Sequence, residues 1–319
     1  MSLSFINENE LYDLALTLKK DGYHFVTITP ASIERVNSRA ENVWAKSIID
    51  VLGWSRPFSV EKLPFNNELL DLMKKAGILV ENKDKKCWKS LVRISSLNNE
   101  LFIHSAFPTE NDDSVFFGPD TYRFARVIKS LLNNRKNPVH RGVDIGCGAG
   151  PGAILLAKAY PQAEIFGVDI NENALRLTNI NSRLANVNVK AQYSDLLKNV
   201  DGQFDIIISN PPYLNDPLQR KYRHGGGNLG SQLSFLILKA SLERLYLNGV
   251  LLLYTASAII DEKDIFYEEV RHLIENAGTS FEWTYGEIDP DVFGEELLCH
   301  NYSHVDRIAA IELIVHKTK

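Results

Sequence analysis

The sequence Val143-Asp144-Ile145 runs without a break into Gly146-Cys147-Gly148-Ala149-Gly150. An apolar strand that ends in alternating glycines and re-emerges as a helix, expected here over 152–159, has few structural solutions. Glycine allows the sharp turn and the close approach of a ligand, and the helix N-terminus beyond offers free N–H groups. Pro151 stands at or near the first helical position, where its missing N–H costs little. From about Val139 onward, strands alternate with helices, which implies an α/β fold on a mostly parallel sheet. Further strands are expected over 164–168, 187–193, 204–209 and 250–254, then near 281–287 and 307–315. Helices are expected up to Leu184, over 231–246 and over 261–277.

The first hundred residues follow a different pattern. Apolar spacing up to about Leu52 is helical, Gly53-Trp54-Ser55-Arg56-Pro57 interrupts it, and 67–77 reads as an amphipathic helix with a glycine stop. Two strands are expected over 87–94 and 100–104, with Asn98-Asn99 in the turn between them. Lys83, Lys85, Lys86, Lys89 and Arg93 surround that hairpin. Helices followed by a basic hairpin suggest a mainly helical, winged-helix-like module; a solvated lysine-rich loop accounts for the same charges. The polar, turn-rich stretch 108–114 marks a boundary between an accessory, substrate-recognition domain over 1–113 and a main domain over 114–319.

A second constellation follows the strand ending at Ser209, where the chain continues Asn210-Pro211-Pro212-Tyr213. The first proline lacks a backbone donor and the second disfavours helix at the residue before it, so the loop is stiff. It presents an amide side chain, free carbonyls and an aromatic face, a set that suits a flat, neutral amino group. An ordinary strand-terminating turn has the same composition.

The two constellations together resemble the class I S-adenosylmethionine-dependent methyltransferases. Asp144 with Gly146, Cys147, Gly148 and Gly150 resembles motif I, and Asn210-Pro211-Pro212-Tyr213 resembles the NPPY motif IV of enzymes that methylate nitrogen on planar groups. Those enzymes include the HemK/PrmC-type glutamine N5-methyltransferases and the nucleic-acid N-methyltransferases. The run from Val115 through Phe117 and Thr121 to Phe124 resembles motif X, which touches the methionine half of the cofactor, although an aromatic cluster sealing the domain junction explains it equally. The resemblance implies a seven-stranded Rossmann-like methyltransferase sheet with an antiparallel last strand. It implies S-adenosyl-L-methionine as cofactor, with Asp169 at the ribose, the adjacent Ile170 in the cofactor set, Asp195 at the adenine amino group, and Asn210 in both the cofactor and acceptor sets. Asp169 and Asp195 also suit helix caps. In the implied chemistry Asn210 and a proline carbonyl accept the acceptor's N–H groups and Tyr213 holds it flat.

Two departures bear on the acceptor. Motif X reads Phe-Gly-Pro-Asp-Thr here, where the glutamine enzymes carry a Pro-Arg-Pro-Glu-Thr-like run. After the NPPY loop comes Tyr222-Arg223-His224-Gly225-Gly226-Gly227-Asn228-Leu229-Gly230, which reads as a mobile flap. A protein glutamine side chain is the preferred acceptor because the net charge of −5 provides no global attraction to nucleic acid. A nucleobase amino group, in RNA above all, is the alternative, and a small-molecule amine the third. No metal is expected, since the acidic stretch 288–296 matches no ligand loop. Three scattered cysteines, a start without a basic n-region and the lack of an apolar run of about 20 residues point to the cytoplasm and away from membranes.

Overall fold

A computed structural model describes residues 6–82, 86–277 and 280–319; residues 1–5, Lys83 and Lys85 lie outside the described residues. The N-terminal part comprises α1 (Glu8–Lys20), α2 (Pro30–Asn37), α3 (Ile48–Leu52) and α4 (Asn67–Lys75). Two hairpins follow, β1 (Leu79–Asn82) with β2 (Cys87–Ser90), and β3 (Val92–Leu97) with β4 (Glu100–Ser105). Helix starts are set by side chains that satisfy free N–H groups: Asn7 caps α1, Thr29 α2, Ser47 α3 and Asn66 α4. The pairing gives two separate two-stranded sheets where one hairpin was expected. The expected strand over 87–94 divides at Leu91, because the Ser90 hydroxyl bonds both the N–H (3.1 Å) and the carbonyl (2.8 Å) of Val92 and turns the chain. Asn98 and Asn99 both take positive φ, 52° and 65°, as a two-residue hairpin turn requires.

The remainder builds one sheet. Its elements are α5 (Pro119–Asn134), β5 (Arg141–Ile145), α6 (Pro151–Ala159), β6 (Glu164–Asp169), α7 (Glu172–Leu184), β7 (Lys190–Tyr193), β8 (Phe204–Ser209), α8 (Gln232–Arg244), β9 (Leu245–Ile260), β10 (Lys263–Asp264), α9 (Ile265–Asn276), β11 (Phe281–Asp289) and β12 (Arg307–Lys317). Seven strands run in the order β11-β12-β9-β8-β5-β6-β7, and the two-residue β10 pairs with β9 off that path, so the described sheet has eight strands. β12 lies antiparallel between β9 and β11, while β5, β6, β7, β8 and β9 are parallel. Alternate residues of β8 serve opposite faces: Ile206 and Ile208 face the layer that holds the N-terminal helices, and Ile207 faces the layer with α8 and α9. Several expected boundaries move: the strand expected over 250–254 spans Leu245–Ile260, the strand expected over 187–193 begins at Lys190, and the helix expected over 261–277 begins at Ile265. The helix expected over 231–246 stops at Arg244, because Leu245 already takes extended backbone and pairs with Phe204. Asn248 (φ 64°) and Gly249 then form an irregularity inside β9, not a helix stop; a Cβ on Gly249 would meet Phe204 O at 2.9 Å.

The N-terminal part is bonded to this sheet through α7. Asn181 is fully buried, and its carboxamide accepts from Ile103 N (2.9 Å) and donates to Ile103 O (3.0 Å) and Ala149 O (2.9 Å). Lys19 bonds Glu100 and the carbonyl of Leu184 at 2.9 Å, and Arg176 bonds Glu8 and the carbonyl of Ile6.

The glycine-rich stretch after Tyr222 is not a free flap. Gly225 N donates to Leu214 O at 2.8 Å, Leu214 N to Arg223 O at 3.1 Å and Leu233 N to Gly225 O at 2.8 Å, so it backs the NPPY loop. A Cβ on Gly225 would meet Pro212 O at 2.6 Å, and one on Gly230 would meet Tyr213 O at 2.3 Å. These glycines admit backbone against backbone. Gly227 differs: it is exposed, has φ +71°, and nothing but Gln232 lies within 4 Å of its Cβ direction. Gly225→Ala should therefore cost about 2–3 kcal/mol as overpacking, and Gly227→Ala about 1 kcal/mol as backbone strain. Denaturant midpoints of the two variants check this; equal costs would mean that the stretch does not pack as described.

Candidate functional site

The chain runs from β5 outward through β6 to β7 and then crosses back to place β8 on the other side of β5, so the strand order reverses at β5. Ligands of open α/β sheets bind at such a reversal, over the carboxyl ends of the strands. A cavity lies there, about 1350 Å³ of open space with its mouth included. Gly146, Cys147 and Gly148 form its floor, Asp169, Ile170 and Asp195 one wall, Asn210 to Tyr213 another, and Asp144 and Thr121 also line it.

The glycine turn is held by β6. The N–H groups of Gly146 and Cys147 donate to Val168 O at 2.8 and 3.0 Å, and all three glycines take positive φ. Asp144 is buried and accepts from Ala153 N in the first turn of α6 at 2.9 Å; burial pushes its carboxyl up to about 8. The Cys147 thiol is raised well above its ordinary range, first by burial and then by Asp169 and Asp144, and its sulfur meets Thr178 Oγ1 at 3.4 Å. That thiol is a packing group. Gly150 does not line the cavity: it begins α6, and a Cβ there would meet Thr178 at 3.0 Å.

Asp169 is half-buried at the end of β6. One carboxylate oxygen accepts from Gly148 N at 3.0 Å and the other from Asn171 N at 2.9 Å. Burial raises its pKa against those bonds and against the opposing charge of Lys221, which also lines the cavity. The cap of α7 is Asn171, which accepts from Asn173 N, so Asp169 does not serve as that cap. Ile170 beside it is 44% exposed, an unburied flat face at the wall of a cleft. Asp195 is exposed and paired with Lys198; no helix begins there, because Leu196 takes φ 55° and the chain continues in turns.

At the opposite wall, Ser209 Oγ donates to Ile145 O at 2.7 Å and joins the ends of β8 and β5. Asn210 is half-buried, and its carboxamide makes no hydrogen bond among the described residues. Tyr213 is buried, with its ring edge-on to Phe293 (centroids 5.8 Å) and tilted against Tyr254 (6.4 Å). Burial, then the negative charge of Asp120, raises its hydroxyl well above the ordinary range.

The expected pair Phe117 and Thr121 separate. Thr121 lines the cavity and accepts from Gly118 N at 3.2 Å, which starts α5. Phe117 points the other way, stacked on His104 at 5.0 Å and Phe102 at 5.5 Å against the β3–β4 hairpin. It seals the junction, and Phe116 faces the cavity in its place, parallel within 10° to Tyr222. Tyr222 Oη in turn donates to Thr109 O at 2.6 Å, so a residue of the preceding part braces this wall without lining the cavity. Other lining residues escaped the sequence reading: Asp120, inside the quoted motif, and Phe293, in the acid-rich stretch over 288–296. Phe293 takes φ 56°, and Glu296 near it is paired with Arg223. No cluster of metal ligands occurs among the described residues, and no described helix is long and apolar enough to cross a membrane.

Residues 123–260 match the family model for the methyltransferase small domain. A release factor glutamine methyltransferase of Deinococcus radiodurans is 42% identical over 137 residues, which cover 41% of this chain and 49% of that protein. A ribosomal RNA small subunit methyltransferase C of Pasteurella multocida is 41% identical over 96 residues, 29% of this chain and 28% of that protein. A ribosomal protein uL3 glutamine methyltransferase of Neisseria gonorrhoeae is 33% identical over 126 residues, 36% of this chain and 42% of that protein. The chain spans about half the length, or less, of these curated relatives. Among solved structures, Trm5b from Pyrococcus abyssi has a TM-score of 0.50 at 18% identity, covering 79% of this chain and 68% of that one, a likeness of fold.

The Asp144 carboxyl makes a pH test. An unfolded aspartate ionises near about pH 3.9, whereas the folded one stays protonated up to about 8. Between those values the native state holds the extra proton, so stability falls as pH rises through the window and levels off above it. Asp144→Asn removes that proton. From pH 5 to 8 the parent should lose stability relative to Asp144→Asn, with a slope of up to about 1.4 kcal/mol per pH unit. Parallel stability curves for the two proteins, measured by chemical denaturation, would show that Asp144 titrates normally.

Proposed function

We propose that this chain, whose residues 123–260 match the methyltransferase small domain, is an S-adenosylmethionine-dependent N-methyltransferase that acts on a planar amide or amino nitrogen. The observation that carries this is the placement of an unbonded carboxamide, Asn210, across one cavity from a strand-end carboxylate, Asp169, with a glycine turn between. The cavity suits the cofactor. Asp169 has lone pairs left after two backbone bonds, enough for a ribose diol, and exposed Ile170 offers an apolar face beside it. Asp195 stands at the rim for an exocyclic amino group.

When bound, the cofactor supplies an already activated sulfonium methyl, so the protein's task is orientation and charge management. Asn210 Oδ1 and the Pro211 carbonyl accept N–H bonds from the acceptor and favour electron density on its nitrogen. Those bonds strengthen as positive charge builds there. Pro211 and Pro212 keep the loop stiff, and the backing stretch from Gly225 to Gly230 stops it from relaxing. The Tyr213 ring bounds the slot.

A protein glutamine side chain is the preferred acceptor. Its support is the similarity to enzymes named for glutamine methylation of release factors and of ribosomal protein uL3, together with the negative net charge. A nucleobase amino group is the second reading, on the similarity to a ribosomal RNA methyltransferase. The N-terminal residues 1–113 are proposed to select the acceptor, and the bond from the cavity-lining Tyr222 to Thr109 supports a link between that part and the site.

Calorimetry and single-turnover transfer separate the roles. Asp169→Ala should lose two charge-assisted bonds of about 1.5–3 kcal/mol each and bind the cofactor far more weakly. Asn210→Ala should bind it like the parent yet transfer on the order of 10²–10³ more slowly. Near-parental transfer by Asn210→Ala would falsify the role given to this loop. To identify the acceptor, extract is labelled with methyl-tritiated cofactor and this protein. Counts released by protease and not by RNase are expected; the reverse would establish the nucleobase reading.

A further inference from the structure

The proposed mechanism leaves one group of buried polar residues at the cavity unused. Asp120, the second residue of α5, is 3% exposed and lines the same cavity as Asn210 and Tyr213. Tyr254 Oη, from the fully buried centre of β9, donates to Asp120 Oδ1 at 2.7 Å. Arg123 Nη1 donates to the same oxygen at 3.2 Å, while its Nη2 reaches Asp289 Oδ2 at 2.7 Å at the end of β11. The helix N-terminus favours the negative charge. β9 thus bonds this carboxylate directly, and β11 is tied to it through Arg123.

We propose that Asp120 and Tyr254 are positioning residues that fix the ring of Tyr213 in the acceptor wall. A tyrosine ring on a loop is free to turn about two side-chain bonds. Here Tyr254 and Phe293 pack against the ring, and Asp120, bonded to Tyr254, lines the same cavity as Tyr213. On this proposal one aspartate serves two phenols, one in the rigid sheet and one in the loop. The sheet's phenol locates the carboxylate, and the carboxylate locates the loop's phenol. The ring face alone was expected to matter at Tyr213; this arrangement gives its hydroxyl an anchoring role. Position matters here because an error of about 1 Å in a reacting pair costs up to about a hundredfold in rate. The consequence for rate rests on the methyl-transfer reading, whereas the anchoring of the ring does not.

The test uses the full chain with a fluorotyrosine label at position 213 and the variants Asp120→Asn, Tyr254→Phe and Tyr213→Phe. Fluorine NMR of the label should show one ring environment in the parent, and a shifted or exchange-broadened signal in Asp120→Asn and Tyr254→Phe. In single turnover, Tyr254→Phe should transfer about ten- to a hundredfold more slowly, with cofactor affinity by calorimetry within twofold of the parent. Because it acts through Tyr213, the double variant Tyr254→Phe/Tyr213→Phe should be no slower than Tyr213→Phe alone. An unchanged fluorine signal in Tyr254→Phe overturns the proposal, as do rate losses that multiply in the double variant. Weakened cofactor binding by Asp120→Asn, with normal transfer from the saturated complex, also overturns it and makes Asp120 a cofactor ligand. If Asp120→Asn does not fold, Tyr254→Phe still removes the bond from the other side. If the parent transfers methyl to no acceptor, the methyl-transfer reading fails, and the fluorine spectra still decide the anchoring.

Discussion

A single hydroxyl stands where the two loops of this site diverge. Ser209 donates to the Ile145 carbonyl at 2.7 Å, across the ends of the parallel neighbours β8 and β5. Beyond Ile145 the chain makes the glycine turn, and beyond Ser209 it makes the NPPY loop. Both strands are buried on both faces, so neither end can shift without disturbing packed side chains on each side of the sheet. The separation between the two loops is therefore a property of the sheet. Everything placed on those loops inherits it.

Around that pair the polar groups are used economically. Asp169 holds the glycine turn through Gly148 N–H while keeping lone pairs toward the cavity. Asp144 supports the first turn of α6 as a largely protonated acid, since burial outweighs its single backbone bond. Asn210 alone in this group makes no bond to the described protein, although it is half out of water. A carboxamide held on a stiff loop without a partner has stability to gain from a ligand that brings one.

How much of this was legible in the sequence differs by the kind of information each feature needs. The glycine turn and the NPPY loop were readable because backbone constraints, positive φ in one and missing N–H groups in the other, are written in the residue types. The mostly parallel sheet followed from the alternation of strands and helices. Phe116 and Phe117 could not be told apart, because which ring faces the cavity depends on the hairpin carrying Phe102 and His104, far away in the chain. Four glycines in six residues suggested looseness, whereas Gly225 and Gly230 are there because Pro212 and Tyr213 lie directly against them. Phe293 and Tyr254 join the site through the closing strands, more than forty positions from the NPPY loop they support. No local pattern carries that.

The Asn181 carboxamide, buried between hairpin and glycine turn, has a mechanical consequence. Its three bonds tie Ile103 in the N-terminal part to Ala149 in the turn, and replacing any of them with water would require opening a sealed core. The two parts of the chain consequently behave as one instrument of fixed length, without a joint at that place. On the proposed reading, a macromolecule held by the N-terminal surface is offered to the cavity at one distance and one angle. On that reading, acceptors of the right chemistry but the wrong reach are excluded by geometry, as a gauge block rejects a part that is merely the wrong size.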